Sequence, residues 1–141
     1  MLDVILRKAE PADLPAVLAF WQGAAENGNR PVDTAEAVEA LLARDPEALI
    51  LAIGDGAVVG TIIAGWDGWR CHLYRLAVDP DRRRAGIGGR LIAAAEERFR
   101  ALGGTRADAM VLDANERAHG IWTAHGYRPQ PEWSRWVKPL G

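Results

Sequence analysis

A glycine-spaced turn that joins an apolar strand to an amphipathic helix constrains this chain more than any other feature. The run "LYRLAVDPD" is followed at once by "RRRAGIGGR", Arg82 to Arg90. Apolar residues then recur at helical spacing from about Ile87 to Leu102, which predicts a helix. The first N–H groups of a helix have no partner within the helix, and glycine lets the backbone approach a ligand. A strand, a glycine turn and a helix in this order therefore build an anion site.

The rest of the chain supplies the elements of a mixed α/β sheet. Alternating or β-rich runs predict strands in "DVILRKAE", in both arms of "ALILAIGDGAVVGTIIAGW", in "HLYRLAV", in "ADAMVL" and in "SRWVKPL". Helical spacing predicts helices in "EPADLPAVLAFWQGAA", "DTAEAVEALLARD" and "NERAHGIWTAHG". The pair Asp55-Gly56 predicts a tight hairpin turn. We expect one α/β domain over residues 1–141, in the order β-α-α-β-β-β-α-β-α-β.

The order of these elements predicts the layout of the sheet. The strand over 72–78 and the strand over 107–112 are joined through a helix, so they should lie parallel with a right-handed crossover. The two arms of the hairpin lie antiparallel. We therefore expect a mixed central sheet with helices on both faces.

Charge is distributed unevenly along the chain. The first sixty residues carry four basic and ten acidic side chains, whereas the rest carry thirteen and nine. This asymmetry indicates an anionic ligand on the second half, and a cationic one or plain solvent on the first. Nucleic-acid binding needs a broad basic face, which a net charge of −2 does not favour. No run approaches the roughly 20 apolar residues that span a bilayer. We expect a cytoplasmic protein with no membrane partner; a homodimer is left open.

Three phosphate-binding patterns compete for the turn. A P-loop is excluded because Gly89-Arg90 stands where lysine and a hydroxyl residue are needed. A dinucleotide fingerprint is excluded because its third glycine is missing. The pattern R-x-x-G-x-G is met by Arg83, Gly86 and Gly88. A basic helix start with a glycine-rich turn and no ligand stays open as the structural alternative.

With the preceding "LAVDP", the R-x-x-G-x-G turn resembles the acetyl-coenzyme A pyrophosphate loop of the GNAT superfamily of N-acetyltransferases. "NERAHGIWTAHGY" is similar to the last helix of that family, N-x-x-A-x-x-[LF]-Y-x-x-x-G-F, with Asn115, Ala118, Ile121, Gly126 and Tyr127 in register. The resemblance implies transfer of an acetyl group from acetyl-CoA to a small amine, an amino acid or a peptide amine, by direct attack and without a metal. A coenzyme A-binding module with weak or no catalysis is the alternative.

The resemblance also implies roles for particular residues. The backbone of the strand before the turn would line the pantetheine arm beside a bulge, and the N–H of Leu76 would hydrogen-bond the thioester oxygen. The amides of the turn would hold the pyrophosphate. Asn115 would contact the reactive end of the cofactor, or would only cap its helix. The cofactor-binding residues implied are Leu76, Ala77, Val78, Arg83, Arg84, Ala85, Gly86, Ile87, Gly88, Asn115 and Trp122.

The chain departs from the family at the proton-transfer positions. Trp122 stands where the family usually has a tyrosine, and Met110 where one branch has a glutamate. An indole N–H donates a hydrogen bond but is no practical acid. Trp122 would therefore wall the thioester rather than donate a proton. Tyr74 is the substitute nearest the bulge, with core packing as its alternative, and His72 could shuttle protons or lie at a surface strand end.

The acetyl acceptor is expected between the segments 20–32 and 66–72. Glu26 and Asp67 carry the negative charge that would attract an ammonium group. Aromatic faces for a cation or an apolar side chain would come from Trp21, Trp66 and Trp69, with packing as the alternative for each. Cys71, the one cysteine, excludes an internal disulfide and is expected to be structural rather than nucleophilic.

Overall fold

The computed structural model, which describes residues 3–25, 27–28 and 31–141, contains a five-stranded mixed sheet. Its strands, in their order across the sheet, are β1 (Val4–Lys8), β2 (Leu49–Gly54), β3 (Ala57–Trp66), β4 (Cys71–Val78) and β5 (Ala107–Ala109). The first three pairs are antiparallel, and β5 is parallel to β4. Asp55 and Gly56 form the predicted hairpin turn, with φ of 52° and 74°. The predicted mixed sheet is confirmed.

Four α-helices lie within the described ranges: α1 (Leu14–Ala24), α2 (Ala35–Arg44), α3 (Ile87–Ala101) and α4 (Glu116–Ala124). Short 3-10 helices precede α1 and α3, at Pro11–Asp13 and Pro80–Arg82. The Thr34 hydroxyl caps α2 by accepting the N–H of Ala37 at 3.1 Å. None of these described helices is both long and apolar enough to cross a membrane.

Asp13 supports the start of α1 without capping the helix through its side chain. It stands at the N-cap but makes no side-chain cap hydrogen bond to α1. Its carboxylate instead accepts the N–H of Glu10 at 2.8 Å and pairs with the guanidinium of Arg7 at 2.8 Å. The Arg7 hydrogen bond lowers the pKa of Asp13 to about 2. Asp13 therefore ties the end of β1 to the turn that leads into the helix.

Two adjacent residues of β3 show that helices cover both faces of the sheet. A Cβ added to Gly60 would lie 3.0 Å from Ile87 and Leu91 of α3. The hydroxyl of Thr61 is bonded to Trp21 of α1 at 2.8 Å. Successive strand residues point to opposite faces, so α3 covers one face and α1 the other. The core on the α1 side is formed mainly by Leu14, Val17, Trp21, Val38, Leu42, Leu49, Leu51 and Ala77.

Contacts within the chain group the residues up to Met110 into one unit and Val111–Gly141 into another. The second unit contains α4. The strand predicted in "SRWVKPL" is wrong: residues 127–141, all of them described, contain no strand. Trp133 and Trp136 in this segment are 75% and 92% exposed. A strand needs a neighbour for its backbone groups, and Pro139 removes a donor from this one.

Candidate functional site

A β-bulge in β4 interrupts the sheet where the thioester was expected. Thr61 pairs with Ala77 and Ile63 with Tyr74, so β4 carries an additional residue opposite this stretch of β3. Arg75 occupies the bulge with a left-handed φ of 52°. The parallel pairing of β4 with β5 covers Cys71 to Leu73 only, whereas β4 continues to Val78. From Tyr74 onward, β4 therefore runs past the end of its pairing with β5.

The side chain of Arg75 is buried, and several groups bind it. Its guanidinium forms an ion pair with Asp33 and donates to the amide oxygen of Asn27 at 2.8 Å. It also lies 5.1 Å from the ring centroid of Trp21, within cation–π range. Asn27 donates in turn to the carbonyl of Trp21 at 3.1 Å, at the end of α1. The bulge is therefore tied to the segment that follows α1.

Arg75 was not predicted as a site residue, although the sequence contains a signal for it. An arginine in the middle of the apolar strand "HLYRLAV" is expected to be buried only if it is paired. The sequence did not show which acid pairs with it, because Asp33 lies 42 positions away.

The arginine-glycine turn connects β4 to α3, and its backbone at Gly86 faces open space. Gly86 is the N-cap of α3 and has a left-handed φ of 79°, and a Cβ placed on it would meet no atom within 4 Å. It supplies no side-chain cap. Arg84 is exposed and also left-handed, with φ of 72°. The start of α3 therefore lies beside open space, with backbone N–H groups and the positive end of the helix dipole available to an anion.

The three adjacent arginines of the turn do not share one role. Arg82 pairs with Asp55 at 3.3 Å and with Asp79 at 4.0 Å. The charge of Arg82 is therefore balanced within the protein. Arg83 is half-buried and Arg84 exposed. These two are the cations that the turn presents.

The other predicted cofactor residues of this unit lie along one path. Leu76 is half-buried in the bulge, and Ala77 and Val78 are buried beyond it. Ile87 is only 2% exposed because its side chain packs against Gly60 of β3. These residues can therefore meet a ligand mainly through their backbones. Ala85 is exposed and Gly88 half-buried.

A shelf lies on the α1 side of the sheet near the start of β4; we define it as Gly65, Asp67, His72 and Tyr74. A Cβ on Gly65 would lie 3.5 Å from the ring of Tyr74 and 3.9 Å from the Cβ of His72. Tyr74 is 42% exposed, so it is not a core residue. The His72 Nε2 lies 3.7 Å from a carboxylate oxygen of Asp67. His72 and Tyr74, whose side chains can transfer protons, therefore lie next to the bulge.

Asp67 stabilises the loop that follows β3. One carboxylate oxygen accepts the N–H groups of Trp69 and Arg70 at 2.8 and 2.7 Å. These bonds, that from Arg70 above all, lower the pKa of Asp67. Trp69 is 76% exposed, and the Arg70 guanidinium covers its ring at 4.2 Å. Trp66 is half-buried at the end of β3, and Glu26 lies outside the described residues.

Comparison with known proteins decides the family. A model of the acetyltransferase (GNAT) family matches residues 15–127. The chain belongs to the GNAT acetyltransferase family. It is therefore an acyltransferase that depends on acetyl-CoA. The family match extends over both units of the chain.

Individual relatives agree with this GNAT assignment. An acetyltransferase of Yersinia enterocolitica is 31% identical over 126 residues, which cover 89% of this chain and 88% of the relative. The ribosomal-protein-alanine N-acetyltransferase of Brucella melitensis is 27% identical with a TM-score of 0.71, over 86% of this chain and 83% of that one. A Salmonella typhimurium protein solved with its cofactor acetyl-CoA shares the fold, at 18% identity and a TM-score of 0.74 over 89% and 79%.

The second unit holds two residues that the GNAT resemblance assigns to the cofactor. Asn115 is the N-cap of α4, and its side-chain oxygen accepts the N–H of Ala118 at 3.1 Å. The interpretation of Asn115 as a helix cap is therefore confirmed. Trp122 is the buried residue of α4, and its ring meets that of Tyr127 edge to face at 5.0 Å. Contact of either residue with the cofactor stays a prediction.

Two further features bear on the chemistry open to this GNAT protein. Cys71 is 2% exposed, and burial raises the pKa of its thiol. It packs against Gly104, so it fits the structural role that we expected. Among the described residues, no group of three His, Cys, Asp or Glu side chains is placed to hold a metal ion.

Proposed function

We propose that the chain is an N-acetyltransferase that moves the acetyl group of acetyl-CoA directly to a primary amine in a ternary complex. One observation carries this proposal: the bulge, the end of β4 and the open start of α3 follow one another along the chain. One path of backbone groups runs from Leu76 to Gly88, and its far end is free of a side-chain cap. Such a path fits a long cosubstrate with an anionic group at one end and a thioester at the other.

Each part of the path has its own role in the proposal. The N–H groups from Arg83 to Gly88 bind the diphosphate, and Arg83 and Arg84 add positive charge. The backbones of Ala77 and Val78 line the pantetheine arm. The N–H of Leu76 donates to the thioester oxygen, whose negative charge grows as the amine attacks. Leu76 is thus a catalytic residue through its backbone.

The shelf supplies the proton transfers. The amine must lose a proton before or during its attack on the carbonyl carbon, and the C–S bond then breaks to release the coenzyme A thiolate. We assign the proton from the ammonium group to His72, beside Asp67, and proton donation to the thiolate to Tyr74. Water can replace the second transfer, because a thiol with a pKa near 8.5 is a fair leaving group.

We also propose, from the resemblance, that Asn115 and Trp122 contact the reactive end of acetyl-CoA. Trp122 would exclude water from the thioester without acting as an acid. The Trp122→Phe variant should then keep most of the turnover, and Trp122→Ala should lose more because it leaves a cavity. A collapse of Trp122→Phe, with acetyl-CoA affinity intact, would show that the indole N–H itself is needed.

Membership of the GNAT family indicates the chemical class of the acceptor but not its identity. We propose a small amine, an amino acid or a peptide amine, bound near the shelf and near the segment after α1, with Trp66 and Trp69 as candidate contacts. The Brucella relative, named for a ribosomal protein alanine, suggests including peptide N-termini. Cytoplasmic location remains a prediction from the sequence, and a homodimer is left open.

A thiol-release screen with acetyl-CoA tests the function. The panel should contain small diamines, free amino acids, peptides with different N-termini and aminoglycosides. We expect one class to give turnover that Tyr74→Phe and His72→Gln reduce without changing acetyl-CoA affinity. Tight acetyl-CoA binding with no turnover on any amine would instead favour the coenzyme A-binding module, which the replacement of the family tyrosine by Trp122 allows.

A further inference from the structure

We propose that Thr61 and Trp21 are positioning residues: together they orient the Arg75–Leu76 peptide so that the Leu76 N–H faces the thioester. The proposal rests on the acetyl-CoA binding proposed above. Neither residue belongs to the strand that would touch the cosubstrate. Both act through a chain of buried hydrogen bonds that ends on the carbonyl of Arg75.

The hydroxyl of Thr61 is fully buried and makes two bonds of 2.8 Å. The first comes from the indole N–H of Trp21, which can only donate. The Thr61 oxygen must accept that bond, so its own proton is left for the carbonyl oxygen of Arg75. The direction of the chain is therefore fixed: the Trp21 indole donates to the Thr61 hydroxyl, and the Thr61 hydroxyl donates to the Arg75 carbonyl.

The planarity of the peptide carries this direction to Leu76. In a trans peptide, the C=O of one residue and the N–H of the next point in opposite directions. The chain contains no cis peptide among its described residues. Since the Arg75 carbonyl points to Thr61 on β3, the Leu76 N–H points away from β3. The other neighbour of β4 is β5, whose pairing ends at Leu73.

This peptide needs support because the bulge is strained. Arg75 is not glycine, yet its φ is 52°. A flip of the following peptide would exchange the directions of the C=O and the N–H. The Thr61 hydroxyl opposes that flip because a flipped peptide would leave the buried hydroxyl without its acceptor. The side chain of Arg75, held by Asp33 and Asn27, fixes the same residue from the other end.

Infrared spectroscopy of bound acetyl-CoA, carrying ¹³C at the thioester carbonyl, tests the proposal without a known acceptor. A hydrogen bond to the carbonyl oxygen lowers its stretching frequency. The Thr61→Val variant keeps the shape and removes the hydroxyl, so its band should move to higher frequency and broaden. Thr61→Ser keeps the hydroxyl and should restore the wild-type band. Acetyl-CoA affinity should change little in both variants, because the turn before α3 supplies most of it.

Ile63→Val is the matched control, since it trims the same strand on the same face without touching a hydrogen bond. It should leave the band in place. If Thr61→Val does not fold, Trp21→Phe removes the indole N–H while keeping an aromatic ring, and it should broaden the band. A wild-type band in a folded, saturated Thr61→Val variant would overturn the positioning role and leave the proposed function standing. Failure of the wild-type protein to bind acetyl-CoA would overturn both.

Discussion

Arg75 and Arg84 share a left-handed backbone, with φ of 52° and 72°, but their surroundings are opposite. Arg75 is 9% exposed and its side chain is held by Asp33 and Asn27. Arg84 is exposed, two residues from a glycine that faces open space. Each residue is strained. The bulge is therefore fixed by buried side chains, whereas the turn is shaped by its backbone and stays accessible. In the proposed complex, the thioester end of acetyl-CoA needs the fixed geometry of the bulge. The diphosphate of acetyl-CoA needs open space at the turn, through which it can reach the protein.

The Arg75→Ala variant should show the largest effect, on stability. It removes one partner of a buried ion pair, so we expect a loss of about 3 kcal/mol in the free energy of unfolding. Urea denaturation measures this loss. Arg84→Ala is the control and should change stability by less than about 0.5 kcal/mol. Equal losses of unfolding free energy in Arg75→Ala and Arg84→Ala would show that the bulge is not fixed by its buried side chain.

The Gly86→Asp variant should lose acetyl-CoA affinity as well as some stability, because a side chain at this left-handed φ is strained. A carboxylate at the start of α3 opposes an anion, so acetyl-CoA affinity should fall about 30-fold, or about 2 kcal/mol. Gly68 also has a positive φ, 95°, and open space around it. Gly68→Asp therefore controls for backbone strain and should bind acetyl-CoA as the wild-type protein does. Calorimetry that found wild-type affinity in folded Gly86→Asp would exclude the turn as the diphosphate site.

The Arg84→Gly variant should move stability and affinity in opposite directions. Relief of a left-handed strain of about 1–2 kcal/mol exceeds the added entropy of the unfolded chain, about 0.4–1 kcal/mol, so stability should rise slightly. Loss of an exposed cation should weaken acetyl-CoA binding about fivefold, or about 1 kcal/mol. Thermal melts and calorimetry measure the two effects. A fall in both quantities would mean that the Arg84 side chain supports the fold.

A change in salt concentration should give the smallest effect. It should reduce the effect of the Arg84 variant but not that of the Arg75 variant. Exposed charges are screened at high ionic strength, where the Debye length falls to about 3 Å at 1 M. The affinity difference between wild-type and Arg84→Gly should therefore shrink to less than about twofold at 0.5 M salt. The stability loss of Arg75→Ala should persist, because its ion pair is buried. If salt abolished the Arg75 effect, the pair could not be the buried contact that holds the bulge.

The local parts of the site were predictable from the sequence. Glycine, arginine and the apolar spacing after Ile87 act within a few residues, so they indicated the turn and α3 correctly. The hairpin at Asp55-Gly56 was predictable for the same reason. The strand predicted in "SRWVKPL" was wrong because β-rich composition says nothing about whether a partner strand is present.

The supports of the site were not predictable because they are distant in sequence. Trp21 and Thr61 are 40 positions apart, and Thr61 and Arg75 are 14 apart. The helical spacing in "EPADLPAVLAFWQGAA" could not reveal the partner of the Trp21 N–H. Only the pairing of β3 with β4 brings these groups together. A charged residue inside an apolar strand was the one available signal.

Calorimetric titration of the wild-type protein with acetyl-CoA and with acetyl-pantetheine, which lacks the diphosphate, tests the account most directly. We expect saturable binding of acetyl-CoA at one site per chain. Acetyl-pantetheine should bind at least about tenfold more weakly, since charged hydrogen bonds at the turn supply about 1.4 kcal/mol or more. Equal affinities would contradict the role of the turn from Arg83 to Gly88. Absence of binding by acetyl-CoA would contradict the account as a whole.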